Sequence, residues 1–306
     1  MARTHPKPAA HTVRHHSASP PTVSARWLLG AIAIAVPGAA ICAWGVLCLL
    51  FWQGNWQLLY HPTATIARTP ASIGLSFDQV GFATGDTGAP QLTGWWIPAG
   101  PSARFTDLYL HGQNGNLGDT LDDISQLHST NVNILAFDYR GYGQSLFVHP
   151  SESHFLQDTD WALQYLTSTR HIDPHSIVLD GRALGANLAL EFAATHPNLA
   201  GVVLDSPIDN PVNSILADPR ARMVPAHLLV GDRYDMNTPA TALRIPSLWI
   251  FQNLSNEKSS QAGSTQGSQA FEKVTSTKMR VWLTPSPQPD QSLTAALSRW
   301  LDDLHR

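Results

Sequence analysis

Cysteine is scarce. The chain has 306 residues and two cysteines, Cys42 and Cys48, both inside one apolar run. The remaining sequence therefore has no thiol for a disulfide framework or a cysteine-based zinc site. Charge is also thin, at 14% of residues against about a quarter in ordinary soluble proteins. No acid precedes Asp78. Arg3, Lys7, Arg14 and Arg26 are the only charges before the apolar run, so that tail carries +4. The other fifteen bases stand against all 23 acids, leaving −8 for the rest. A body of that sign repels polyanions, which excludes nucleic acid as an expected partner. A hydrophobic content of 43% with ten tryptophans excludes a disordered chain or a collagen.

The uncharged run extends from Trp27 to Trp52, 26 residues. As a helix it measures about 39 Å at ~1.5 Å per residue, enough to cross a hydrocarbon core of ~30 Å with tilt. Trp27, Trp52, Trp56 and Tyr60 stand at its ends, where amphipathic rings favour the headgroup zone. Pro37 and Gly38 lie mid-run, which a spanning helix tolerates. The alternatives are a cleaved signal peptide and a buried core helix. A signal peptide has an apolar region of only ~7–15 residues, and here the run continues past every candidate cleavage site. The expectation is an uncleaved transmembrane helix over 27–52. Four bases precede the span, and only Arg68 follows closely. The positive-inside rule then places the N-terminus in the cytoplasm, the helix in the inner membrane and the domain in the periplasm or exterior. Residues 1–26, with four histidines among Pro, Ala, Ser and Thr, read as a disordered cytoplasmic tail.

Residues 57–306 alternate between strand and helix patterns. FDQVGFAT (77–84) and QLTGWWIP (91–98) look like an antiparallel pair. DLYLHG (107–112), VNILAFDY (132–139), SIVLDG (176–181), AGVVLDS (200–206), PSLWIF (246–251) and MRVWLT (279–284) read as further strands. Helical spacing covers 117–129, 152–170, 184–195 and 290–304. This order implies an α/β domain with a mostly parallel sheet covered on both faces. Residues 207–244 read as a cap-like segment. The polar, low-complexity stretch 253–270 reads as a flexible loop.

Three segments at strand ends stand out: His111-Gly112-Gln113-Asn114-Gly115-Asn116, Phe137-Asp138-Tyr139-Arg140-Gly141-Tyr142-Gly143-Gln144-Ser145 and Asp180-Gly181-Arg182-Ala183-Leu184-Gly185-Ala186. In this order they resemble the α/β-hydrolase superfamily, in particular the membrane-tethered serine hydrolases of the serine aminopeptidase-like branch. Leu58-Leu59-Tyr60-His61-Pro62 and Asp232-Arg233-Tyr234-Asp235 are similar to that branch too, and the resemblance covers about residues 56–304. It implies an α/β-hydrolase fold and an oxyanion hole made by the N–H groups of Gln113 and Leu184.

The same resemblance exposes three departures. Active relatives carry Gly-x-Ser-x-Gly at the nucleophile turn, and this chain reads Gly181-Arg182-Ala183-Leu184-Gly185. A methyl group attacks no carbonyl. Ser255 falls where the acid is expected, with Glu257 the nearest carboxylate, and Gln288 stands where the histidine is expected. An engineered knockout removes one residue, whereas loss of selection removes all three, so natural decay is the favoured reading. The expectation is a pseudo-hydrolase that binds an acyl or peptidic ligand, or a protein partner, without cleaving it. The alternative is an active ester, thioester or peptide hydrolase with non-standard groups, for which Asp205, beside Ser206, and Glu257 are the candidate acids. No metal-ligand spacing and no cofactor motif is present, so neither group is expected.

Overall fold

The computed structural model describes residues 23–85, 88–252, 265–283 and 292–304. The chain divides into two compact units, residues 1–47 and 48–306. Helix α1, Ala25–Gly54, contains the whole apolar run and leaves its side chains largely exposed. Among the described residues it is the one helix long and apolar enough to cross a membrane. It continues directly into a 3-10 turn, Asn55–Leu58, within the second unit.

The second unit is built on an eight-stranded sheet. In chain order its strands are β2 (Asp78–Thr84), β3 (Pro90–Ile97), β4 (Thr106–Leu110), β6 (Asn133–Asp138), β7 (Ile177–Arg182), β8 (Gly201–Asp205), β9 (Ser247–Gln252) and β10 (Lys278–Leu283). Across the sheet they run β10-β9-β8-β7-β4-β6-β3-β2. Strands β4 to β10 pair in parallel, and β2–β3 and β3–β6 are antiparallel. The expected antiparallel pair is thus present at one edge. A separate two-residue strand β1 (His61–Pro62) pairs in parallel with β5 (Asn114–Gly115).

Burial follows sequence. β4, TDLYL, and β8, GVVLD, are buried at every position, as expected for strands covered on both faces. Successive side chains alternate between faces. Leu108, Leu110, Leu135, Phe137 and Leu179 pack with Leu188 and Phe192 of helix α4 (Leu184–Thr195) and with Phe155 of helix α3 (Glu152–Gln164). On the other face Tyr109, Ile134, Val178, Val203 and Ile250 pack against helix α2 (Leu121–His128) and the C-terminal helix, whose Leu297, Trp300 and Leu301 are buried. Helix α3 starts at Ser151, whose hydroxyl accepts the His154 N–H and caps it.

The segment 207–244 forms three short helices, α5 (Asn213–Leu216), α6 (Ala226–Leu229) and α7 (Asn237–Ala242), with a 3-10 turn at Pro219–Met223. The loop expected over 253–270 is corrected from Thr265 onward. Thr265–Lys273 is helix α8, and residues 253–264 lie outside the described residues. Ala270, Phe271 and Val274 supply the apolar burial that a polar composition conceals. Two bonds fix the helix. The Gly267 N–H donates to Asp209 Oδ1 at 2.9 Å, and Lys273 Nζ donates to Asn237 Oδ1 at 2.7 Å. The C-terminal helix, Leu293–Leu304, is α9.

Candidate active site

Strand β4 has β6 on one side and β7 on the other, so the strand order reverses there. Crevices at such reversals, outside the carboxyl ends of the strands, are where open α/β sheets bind ligands. Ala183 and the His111–Gln113 turn both sit at this place.

Ala183 joins β7 to α4 with φ 52° and ψ −118°. An L-residue pays about 1–3 kcal/mol for such a conformation. Neighbouring contacts enforce it. The Ala183 N–H donates to the Asp205 carbonyl at 2.9 Å, and the Ala183 carbonyl accepts the Ala186 N–H at 3.0 Å. A Cβ on Gly181 would collide with the backbone of Gly185, and one on Gly185 with the Leu110 carbonyl. Both glycines are thus required by close approach, and the sharp corner survives with a methyl group at its tip.

The second half of the site is the turn after β4. A Cβ built on Gly112 would lie 3.3 Å from the Ala183 Cβ, so this turn rests directly on the corner. The Gln113 carbonyl accepts the His61 N–H at 2.9 Å and the Tyr142 hydroxyl at 2.8 Å, which fixes the turn's orientation. The Gln113 N–H donates to no acceptor among the described residues. Leu184 is the first residue of α4, where an N–H has no intrahelical partner. Gln113 and Leu184, the two residues whose N–H groups the resemblance assigns to an oxyanion hole, thus follow Gly112 and Ala183 on the two turns that meet here.

His111 supplies no base for position 183. It is buried between Tyr139 and Tyr142, with ring centroids 4.5 and 5.1 Å away. Its Nδ1 lies 2.7 Å from the Gly112 carbonyl, which requires the proton on Nδ1. Nε2 lies 3.7 Å from Asp138 Oδ1. Burial lowers the His111 pKa to about 4, so the ring is neutral at neutral pH. Burial also raises Asp138 to about 7, against the lowering effect of the Leu117 N–H that it accepts at 2.9 Å.

Ser255, Glu257 and Gln288 lie outside the described residues. Asp205 is described. Its backbone carbonyl touches the corner, but its carboxylate is buried and accepts the Ser206 hydroxyl at 2.7 Å. It lines a cavity of about 10 Å³ with Tyr109, Asp123, Asp180 and Arg182, beneath α9. Arg182 forms an ion pair with Asp123 there. Burial raises the Asp205 pKa. Ser206 has φ 53°, and no histidine bonds to its hydroxyl among the described residues. An isolated hydroxyl of this kind is a weak nucleophile.

Sequence reasoning missed two further buried acids on this sheet. Asp107 and Asp180 are both buried in central strands. Burial holds Asp107 well above the usual carboxylate range. Burial, together with the charges of Asp107 and Asp205, does the same to Asp180. An aspartate inside each of the apolar runs DLYLHG and SIVLDG was the available signal. Among the described residues no three His, Cys, Asp or Glu side chains are arranged to hold a metal ion.

Known proteins match on this frame. The family described as serine aminopeptidase, S33, matches residues 102–260. The protein YfhR of Salmonella typhi is 32% identical over 159 residues, covering 47% of this chain and 52% of that protein. The mouse alpha/beta hydrolase domain-containing protein 17C is 32% identical over 126 residues, covering 41% and 39%. The chain thus spans about half or less of the length of the curated relatives it matches. Among solved structures, a Pyrococcus furiosus esterase superposes with a TM-score of 0.54 at 17% identity, covering 80% of this chain and 97% of that one. An alpha-beta hydrolase from Vibrio vulnificus gives 0.55 at 21% identity, covering 77% and 82%. At such identities the likeness shows the fold alone. The family match, extending over half of the sequence and across the elbow and its neighbouring turn, makes this chain a member of the serine aminopeptidase S33 family of α/β hydrolases.

Proposed function

We propose that this protein is a membrane-anchored pseudo-hydrolase, which holds an acyl or peptidic ligand or a protein partner at its oxyanion turn without cleaving it. The observation that carries the reading is Ala183: the corner and its two glycines are kept, and the attacking oxygen is missing. Loss of a whole catalytic triad costs ~10⁶ in kcat and leaves only ~10³–10⁴ over water from oxyanion binding. Free donors at a fixed corner still bind a carbonyl or carboxylate oxygen. The anchor is α1, and the basic residues before it argue for a cytoplasmic N-terminus and a domain beyond the inner membrane.

One observation favours a second reading. The Ser206 hydroxyl is hydrogen-bonded to a buried carboxyl next to the corner, an arrangement that an unorthodox ester hydrolase would need. The purified full chain in detergent, challenged with a fluorophosphonate probe and short-chain esters, separates the two. The pseudo-hydrolase shows neither labelling nor turnover above a heat-inactivated control. Labelling that disappears in Ser206→Ala would establish the second reading instead. Ala183→Ser alone stays unlabelled, because Gln288 stands where the base is expected.

A further inference from the structure

We infer that a second surface, carried by the loops after β6 and β8, rests on the lipid leaflet from which α1 emerges. The inference depends on α1 being a membrane anchor and on nothing else in the functional proposal.

Beyond Gly54, five large apolar side chains are exposed among the described residues: Leu146, Phe147, Met223, Leu228 and Trp282. Single exposed apolar residues need no explanation. Their placement does. Phe147 is 71% exposed and Leu228 85%. Phe147 lies edge-on to His149, which stacks on Trp56 at 4.9 Å. Met223 and Leu228 belong to the stretch that continues from α5, and α5 packs on Asn55–Leu58. Four of the five thus sit on two loops that flank the 3-10 turn into which α1 runs without a linker.

Chain connectivity sets the distance. A turn that follows a spanning helix directly lies in the headgroup zone, and loops packed on it lie within a side chain's reach of the acyl boundary. Phe and Leu inserted there gain burial, and Arg222, on the same stretch, has the long stem that lets a cation reach phosphate. The occupant that this arrangement selects is therefore the bilayer surface. The next residues, His61–Pro62, pair with Asn114–Gly115.

The test is depth-dependent quenching of the full chain in nanodiscs of phosphatidylcholine and phosphatidylglycerol carrying lipid-borne spin labels. An environment-sensitive fluorophore is attached to Phe147→Cys or Leu228→Cys in a Cys42→Ser/Cys48→Ser background. Ser102→Cys, exposed just before the opposite end of β4, is the comparison site. Native Cys42, labelled in Cys48→Ser, reports on the span itself. Expected is strong loss of emission at 147 and 228 with shallow quenchers, and none at 102. If Cys42 is quenched by deep labels while 147 and 228 respond no more than 102, the surface contact is refuted and the anchor stands. If Cys42 is not quenched, the anchor fails and this inference falls with it. Cross-linking between copies at 147 or 228 without quenching would assign the patch to a second copy and overturn it.

Discussion

Gly112 and Ala183, 71 positions apart in sequence, meet at the carboxyl ends of β4 and β7, and a Cβ on the glycine would stand 3.3 Å from that of the alanine. The contact holds a positive-φ alanine at a corner whose usual purpose, presenting a nucleophile, it does not serve. Strain without an attacking group is a cost with no catalytic return.

Replacing the strained residue should therefore help. Ala183→Gly removes the Cβ that makes φ 52° unfavourable. The expected gain is about 1 kcal/mol, or about 2–4 °C in Tm for a domain of this size. Differential scanning fluorimetry of the full chain in detergent checks it. An unchanged or lower Tm would mean that the corner is not strained.

Asp138 sets a pH dependence whose sign is definite. Its folded pKa of about 7 exceeds the unfolded value of about 3.9. The native state therefore keeps a proton that the unfolded chain has lost, and this stabilisation fades as pH rises through about 7. His111 acts oppositely. Its folded pKa of about 4 lies below the unfolded ~6.5, so its contribution is present above ~6.5 and is lost as pH falls toward about 4. Asp138→Asn should flatten the decline between about pH 4 and about pH 7, read as unfolding free energies from urea titrations across that range.

The Arg140–Asp158 pair is buried, with Nε 2.5 Å from Oδ1, the Arg140 N–H donating to Oδ2 at 2.8 Å and the guanidinium 4.5 Å from the Trp161 ring. Burial raises Asp158 to about 6 despite the opposing guanidinium. Asp158→Ala leaves that cation buried and unpaired, at an expected cost of about 3–5 kcal/mol. Chemical denaturation measures the loss. A loss below about 1 kcal/mol would place the pair among weakly contributing surface pairs.

Tyr60 ties the segment after α1 to the end of the cap-like segment. Its hydroxyl donates to Asp232 Oδ2 at 2.5 Å and lies 2.8 Å from the Tyr234 hydroxyl. Tyr60→Phe should cost about 1–3 kcal/mol, because Asp232 and Tyr234 lose a buried partner. Amide exchange should quicken together at 55–62 and 232–235. Faster exchange in only one of the two segments would show that the bond does not couple them.

The strand and helix pattern, the apolar run, the two-glycine corner and its missing hydroxyl were all legible in the sequence, because each is local. Alternation marks a strand, spacing marks a helix, and residue type decides whether a nucleophile exists. Tertiary structure alone decided what distant residues do to one another. It paired His61–Pro62 with Asn114–Gly115, brought Gly112 against Ala183 and buried Asp180 within reach of the charges of Asp107 and Asp205. It also made a helix of Thr265–Lys273, where few apolar side chains sufficed once Phe271 found a core. The physical reason is range: periodicity records which face of an element is buried, whereas pairing, desolvation and backbone strain exist only once separate elements pack.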